Sequence, residues 1–357
     1  MRNYAHLELE PAAGLNLIVG GNAQGKSNLL EAIALLGTGK SFRTNRDADV
    51  IRRDFDLATL SGEAGVRAGR VRLSCTIAST PRGTRKLYAV NGRHVRYANF
   101  LGSLRVVTFV PSDLHLVTGP PAARRSFLNG ALSQDQKLYY HELVRYQKAL
   151  SQKTALLKTD AAPDAELLAV YNETLVEAGT VMMLARAQFA GALNEAASRA
   201  HAAWTGGAEL LAVRYEPNVA FDVPTADAVA GAFAQRLRTM EAQERARAAA
   251  LVGPHRDDLS LLLNDGALAA YGSQGQQRTA VLALKVAEYT TMHDRSGEAP
   301  LLLLDDVLSE LDPARAAAFL GGVGSFEQAF ITATHLPAQF PAARRYEVVA
   351  AALRESP

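Results

Sequence analysis

The chain has few of the features that mark secreted, metal-cluster or membrane proteins. Cys75 is the only cysteine among 357 residues. An intramolecular disulfide is therefore impossible, and no thiol cluster can hold zinc or an iron–sulfur centre. Met1-Arg-Asn-Tyr-Ala-His6 lacks the apolar core of a signal peptide, and no apolar run approaches the ~18 residues of a membrane span. Internal repeats and low-complexity tracts are absent. These absences predict a cytoplasmic protein of a reducing compartment. What is present is ordinary globular material, 48% hydrophobic and 21% charged, which excludes wholesale disorder. At ~150 residues per domain the length allows one large domain or two ordinary ones.

The formal net charge of +2 hides an asymmetry. Between Lys40 and Arg105 fourteen Lys and Arg face five Asp and Glu, a local net of +9, so the rest of the chain sums to −7. Such a lobe can meet a polyanion. It can equally be a set of solvated arginines guarding an exposed sheet edge.

Three textures succeed one another, and they predict three segments, 1–118, 119–250 and 251–357. The first alternates short apolar runs with turns. Strands are expected at Leu7–Glu10, Leu15–Val19, Val71–Ile77, Lys86–Val90 and Leu104–Val110, with a hairpin at Asn91-Gly92. A helix starting at Lys26 interrupts them. The second segment is helical: Tyr139, Leu143, Tyr146 and Leu150 are spaced 4, 3, 4, and Leu168 to Phe189 alternate 3 and 4 for three heptads. With no proline between Pro163 and Pro217, that second helix can run some 35 residues, about 50 Å. A third run passes through Val229, Phe233, Leu237 and Met240. Sustained 3–4 spacing predicts an arm of antiparallel helices resembling a short coiled coil. In the third segment Leu259–Leu263, Leu301–Leu304 and Ala329–Thr334 read as strands, and 276–293 as a helix. The wholly apolar Leu301–Leu304 run fits a strand buried on both faces, as in a parallel sheet. The expected fold is thus an α/β domain built from both chain ends, with a helical insertion.

The chemistry lies in the α/β segments. Gly20-Gly21-Asn22-Ala23-Gln24-Gly25-Lys26-Ser27 matches G-x-x-x-x-G-K-[ST] and joins a predicted strand to a predicted helix, the context this motif requires. Its backbone N–H groups can curl around phosphates, helped by the helix N-terminus. Lys26 would hold the β- and γ-phosphates and the Ser27 hydroxyl would take Mg2+. Leu301-Leu-Leu-Leu-Asp305-Asp306 reads as a Walker B strand. Asp305 would steady the metal shell, and Asp306 would orient or deprotonate the attacking water. Because Asp306 is one methylene shorter than a glutamate base, slow hydrolysis is expected. Gly272-Ser273-Gln-Gly275-Gln276 resembles the L-S-G-G-Q signature of ATP-binding-cassette ATPases, which reads the γ-phosphate held by the opposite subunit; a capping serine with a tight glycine turn is the plain alternative. Leu308-Ser-Glu-Leu-Asp312 matches the D-loop, and His335 stands where a γ-phosphate-sensing histidine would, though a histidine near a strand end has many structural explanations.

Order and spacing together indicate an ABC-type P-loop ATPase head with an inserted α-helical arm. The sequence resembles the RecF family of bacterial recombination-repair ATPases, relatives of the SMC-type heads, over nearly its whole length. The resemblance is carried by Arg2-Asn-Tyr4, Gly20 to Asn28 with Leu29-Leu-Glu-Ala-Ile33, Gly39-Lys-Ser-Phe-Arg43, Phe109-Val-Pro-Ser-Asp113, and Pro121-Ala-Ala-Arg124-Arg125. Gly253-Pro-His255-Arg256-Asp257, Gly272 to Thr279 and Leu303 to Asp312 complete it. Three departures stand out. Ala23 and Ser27 replace commoner P-loop residues, and the start at Arg2-Asn-Tyr4 is several residues short of the family pattern, which leaves the first strand incomplete. The glutamine of the SMC-type Q-loop is missing, with Ser112 or Asp113 expected near the metal instead.

The resemblance implies ATP and Mg2+ as cofactors, with Gly20 through Asn28, Ser273, Gly275 and Gln276 on nucleotide. It implies Ser27, Asp305 and Asp113 on metal, and Lys26, Asp306 and His335 in catalysis. It also implies an ATP-dependent homodimer on double-stranded DNA near single-strand gap junctions. RecR and RecO would be partners in loading RecA, with weak, DNA-stimulated ATP hydrolysis releasing the dimer. The basic 40–105 lobe and Arg124-Arg125 would contact phosphates, with no membrane partner. The rival readings are the ATPase subunit of a transporter, and a DNA clamp whose ATP turnover is incidental.

Overall fold

The computed structural model describes residues 1–159, 164–335 and 340–356. It separates into two compact units. One comprises Met1–Leu114, Ala196–Leu210 and Gly272–Pro357; the other comprises His115–Glu195 and Leu211–Tyr271.

The first unit is built on a six-stranded sheet in the order Ala352–Ser356, Arg344–Val349, Gly14–Val19, Gln328–Ala333, Leu301–Leu304, Val106–Phe109. All neighbours are parallel except the Ala352–Ser356 edge. Leu302, Leu303 and Leu304 are buried, as a strand covered on both faces requires. Val19 lies opposite Ala333, and Leu304 opposite Ile331, so the central parallel strands end within two residues of one another. Their C-terminal edge is where an open parallel sheet binds ligands. The helix Lys26–Thr38 follows the first of these strands and buries Leu29, Leu30, Ala34 and Leu35. A separate four-stranded antiparallel sheet is formed by Leu57–Val66, Gly69–Thr80, Gly83–Val90 and Arg93–Val95. The last hairpin turns at Asn91 and Gly92, both at positive φ, as expected.

Leu7–Glu10 is not a strand. Leu7 and Leu9 pack against the core, and the Tyr346 hydroxyl donates to the Glu10 carbonyl at 2.9 Å. The Arg344–Val349 strand is already paired on both sides, so this backbone finds no ladder there.

The second unit holds the predicted helices as Lys137–Leu157, Ala165–Thr205 and Ala226–Arg247, preceded by Pro121–Asp135. The long helix has 41 residues, and its seam positions Leu168, Leu175, Ala178, Met182 and Phe189 are buried. By length and mean hydropathy it comes closer to a membrane span than the sequence suggested. The buried Arg186 argues for a core helix, because an unpaired charge is costly in hydrocarbon. Arg186 donates to Asp257 Oδ2 at 2.7 Å, to the Pro254 carbonyl at 2.6 Å, to Asn129 Oδ1 and to the Tyr139 hydroxyl. A second buried pair, Lys153–Glu244 at 2.6 Å, ties the first of the three helices to the last.

This unit is more than a coiled-coil arm. Leu211–Glu216, Asp258–Leu263 and Gly266–Ala267 form a three-stranded antiparallel sheet within it. The expected boundary at 250 is thereby corrected: 251–271 stays with the helices because Asp258–Leu263 pairs with Leu211–Glu216, a strand the helical reading overlooked. The end of the long helix goes instead with the sheet unit.

The Gly253-Pro-His255-Arg256-Asp257 run is absorbed into this interior. A Cβ on Gly253, whose φ is +128, would lie 2.4 Å from the Tyr146 hydroxyl. The same hydroxyl meets His255 Nδ1 at 2.6 Å. Burial, mainly, pushes the His255 imidazole down to about 4. An unfolded histidine titrates near 6.5, so below that pH the unfolded chain takes up a proton that the folded one refuses. Stability is then complete above ~6.5 and declines as the pH falls towards 4. His255 alone should cost about 2 kcal/mol between pH 7 and pH 5. Urea unfolding at both pH values checks this, and a His255→Asn variant should lose that part of the slope.

Candidate nucleotide site

At the C-terminal edge of the parallel sheet the loop 20–25 leads into the Lys26–Thr38 helix. Ala23 sits at φ +62 and Gly25 at φ +123. A Cβ on Gly25 would fall 2.9 Å from both Asn3 Nδ2 and the Tyr4 hydroxyl, so this glycine admits the chain segment that braces the loop. Tyr4 donates to the Gly25 carbonyl at 3.2 Å, and burial pushes its phenol up to about 12. Asn3 donates to the Gln24 carbonyl, and the Ala350 N–H donates to Gln24 Oε1 at 2.6 Å. The loop is thus held from behind by residues distant in sequence.

Lys26 Nζ donates to the carbonyls of Gly20 and Gly21 at 2.6 and 2.9 Å. Burial lowers its pKa, opposed by the carboxylates of Asp306 and Asp305. The Ser27 hydroxyl donates to Asp305 Oδ1 at 2.9 Å, and the Thr332 hydroxyl donates to the same oxygen at 2.8 Å. Thr332 Oγ1 in turn accepts the Asp306 N–H at 2.9 Å. Asp306 has left-handed backbone, φ +53, and its carboxylate accepts from Ser309 Oγ at 2.8 Å.

Asn22 through Asn28 line a cavity of about 350 Å³ together with Arg43, Asp305, Asp306, Thr332 and Thr334. One carboxylate and one hydroxyl, side by side, are the partial oxygen set that Mg2+ takes while keeping water and phosphate oxygens for the rest of its shell. The donor set fits that ion.

Arg43, Thr332 and Thr334 were not singled out from the sequence. Arg43 donates to Asn28 Oδ1 and lies 3.8 Å from the buried Glu31, which also holds Arg2 in a two-pronged pair. Its only signal was its place in the Gly39–Arg43 run.

Several expected residues stand elsewhere. Asp113 does not line the cavity: its carboxylate caps its own turn, accepting the Val110 N–H at 2.8 Å. Desolvation raises its pKa, offset in part by Lys285. Ser112 is exposed and also outside the lining. His335 lies exposed two residues beyond the strand, and Thr334 takes the lining position. Ser273 is exposed at the start of the Gln274–Ser296 helix, away from this cavity. There it forms a capping box, its Oγ accepting the Gln276 N–H while Gln276 Oε1 accepts the Ser273 N–H. Gly275 is likewise exposed and outside the cavity.

Comparison with known proteins decides the family. The model of the RecF/RecN/SMC N terminal domain matches residues 1–353. The DNA replication and repair protein RecF of Symbiobacterium thermophilum is 43% identical over 341 residues, 94% of this chain and 89% of that protein. This chain belongs to the RecF family. The RecF of Bacillus subtilis is 37% identical over 339 residues, 93% of this chain and 90% of that one. A solved structure of the recombination mediator protein RecF with ATP, of the RecFOR pathway, superposes with a TM-score of 0.90 at 31% identity, covering 100% of this chain and 95% of that one. An Smc head domain from Pyrococcus furiosus, with a TM-score of 0.54 at 16% identity, shares the fold. The ABC-type head with a long helical insert is therefore the architecture of this RecF family member.

The basic lobe is the four-stranded sheet with its preceding loop. Its outward face is formed by small, uncharged residues such as Thr59, Ser61, Ser74 and Thr76, crossed by an exposed Arg72–Glu63 pair. The surplus charge lies at the hairpin ends, where Arg67, Arg70, Arg82, Arg85, Arg93 and Arg96 are exposed. Arg124 and Arg125 do not add to it. Arg124 is paired with both oxygens of Asp258, and Arg125 donates to the Asp257 carbonyl at 2.8 Å.

Proposed function

We propose that this chain is an ATP-dependent DNA-binding ATPase of recombinational repair, and that ATP joins two copies head to head. The sheet unit would bind and hydrolyse ATP, with the helical unit as an arm. The observation that carries the reading is the separation of two half-sites. The P-loop cavity contains Lys26, Ser27, Asp305 and Asp306 but not the signature serine, which stands exposed at a helix N-terminus outside it. A γ-phosphate held by Lys26 would be completed by Ser273 of a second copy, an isologous contact made twice.

In this scheme the loop 20–25 wraps the phosphates, and Lys26 exchanges its carbonyl partners for phosphate oxygens. Ser27 and Asp305 would hold Mg2+, which neutralises phosphate charge. Asp306 accepts the proton of the attacking water or orients it. Because Thr332 links Asp305 Oδ1 to the Asp306 N–H, the backbone that carries Asp306 would already be held before nucleotide arrives. Loss of the γ-phosphate removes the bridge, so ATP acts as a ligand with different affinity for the two association states. His335 is exposed outside the cavity and enters no step.

The ATP complex of a RecF 31% identical to this chain, and the names of its relatives, support ATP as ligand and DNA repair as setting. The match over residues 1–353 sets aside the transporter-subunit reading. The finer proposal is that the dimer acts in the cytoplasm on duplex DNA near single-strand gaps and helps RecO and RecR to load RecA, with DNA stimulating hydrolysis.

Light-scattering chromatography tests the switch. ATP with Mg2+ should double the molar mass, ADP should not, and Ser273→Arg should remain a monomer with ATP. A wild-type monomer under all conditions would sink the model. Turnover tests the short base: Asp306→Glu should hydrolyse ATP faster than wild type, and an equal or slower rate removes the case that Asp306 limits it. Phosphate contacts from the hairpin arginines predict steep salt dependence. Duplex affinity should fall at least about tenfold between about 50 and about 200 mM salt, and a flat response would rule out this mode of binding.

A further inference from the structure

The exposed signature serine is held by a capping box, and that box depends on a residue outside both recognised motifs. Gln276 Oε1 accepts the Ser273 N–H, so the other end of the same amide, Nε2, must find an acceptor. It finds Glu209 Oε1 at 3.1 Å. Glu209 therefore sets which way the Gln276 amide faces. The same oxygen accepts from Arg315 Nη2 at 3.0 Å.

Arg315 belongs to the Pro313–Val323 helix, which follows the D-loop and is capped by Asp312. Its Nε lies 3.4 Å from Asp312 Oδ2, and its Nη1 donates at 2.9 Å to Thr279 Oγ1, which itself donates to the Gly275 carbonyl. One carboxylate oxygen thus joins the start of the signature helix to the start of the D-loop helix. Glu209 reaches this point from a Gly206-Gly207 turn that ends the Ala165–Thr205 helix. On that helix the buried His201 places Nε2 3.5 Å from the other oxygen, Glu209 Oε2.

We propose that Glu209 is a positioning residue for the composite ATP site, locking Ser273 and Asp312 into one rigid surface that reads the partner's nucleotide. It touches neither nucleotide nor cis cavity and acts through Gln276 and Arg315. The proposal rests on the reading that Ser273 works in trans. Removal of the carboxylate frees the Gln276 amide to turn over and leaves Arg315 with Asp312 and Thr279. The helix N-terminus then keeps its fold but loses its register.

The test separates nucleotide binding in cis from assembly in trans, using the full chain. Fluorescent ATP-analogue titration at a concentration where the protein is monomeric reports the P-loop, and light scattering with ATP and Mg2+ reports assembly. For Glu209→Ala the analogue affinity should stay within about twofold of wild type, while the dimer dissociation constant rises at least about tenfold. Glu209→Gln keeps the volume and an acceptor for Gln276 and should fall between. The double variant with Arg315→Ala should be no worse than the stronger single one, since both remove the same link.

Assembly of Glu209→Ala at the wild-type concentration would overturn the proposal. So would parallel losses of analogue affinity, thermal midpoint and assembly in both variants, which mark a purely structural role. If wild type itself fails to assemble with ATP, the trans reading falls first and this inference falls with it, a result distinguishable from failure of Glu209 alone.

Discussion

A single carboxylate oxygen, Asp305 Oδ1, gathers the functional edge of the sheet. It accepts hydroxyls from Ser27, at the start of the P-loop helix, and from Thr332, on the adjacent strand. Thr332 spends its remaining capacity on the Asp306 N–H. The start of the P-loop helix and the ends of two parallel strands are therefore fastened together by hydrogen bonds to a charged group, which are roughly twice as strong as neutral ones. The position of Lys26 relative to the carboxylates and the direction of Asp306 follow from this fastening. Because the central strands are parallel, their C-terminal ends necessarily share an edge. The chemistry is a consequence of topology before it is one of residue type.

That explains which parts of the molecule were legible in the sequence. The P-loop, the apolar strand with its two aspartates and the signature helix are local patterns whose physics is complete within a few residues. Each stands where its spacing implied. Residues whose role depends on distant partners were not legible. Asn3 and Tyr4 brace Gln24 and Gly25 across some twenty positions, and Arg43 is aimed by Glu31 and Asn28. Asp113 shows the converse. Its place in the chain suggested a metal ligand, yet a local backbone N–H and a nearby lysine claim it. Leu7–Glu10 alternates like a strand, but alternation secures only one buried face, and a ladder also needs an unpaired neighbour.

The helical unit teaches a related lesson about boundaries. A change of texture near 250 suggested a return to the α/β domain, but Asp258–Leu263 pairs back onto Leu211–Glu216. The buried Arg186–Asp257 pair, with Tyr139, Asn129 and Pro254 completing the guanidinium's partners, holds this junction. Such a network costs much to desolvate, and removing one member would leave a buried charge unanswered. Gly253 to Asp257 is thus a folding element whose motif-like look comes from steric and electrostatic necessity.

The left-handed backbone at Asp306 narrows what this position can become. Only glycine accepts that conformation freely, and asparagine and aspartate are the side chains that tolerate it best. Glycine would remove the proposed base, and asparagine would keep the shape while losing the ability to accept a proton. A glutamate would gain reach at the expense of backbone strain. On the proposed role of Asp306, drift at this codon towards glycine or asparagine would therefore yield an inactive but well-folded chain, whereas the change to glutamate would exchange ease of folding for speed.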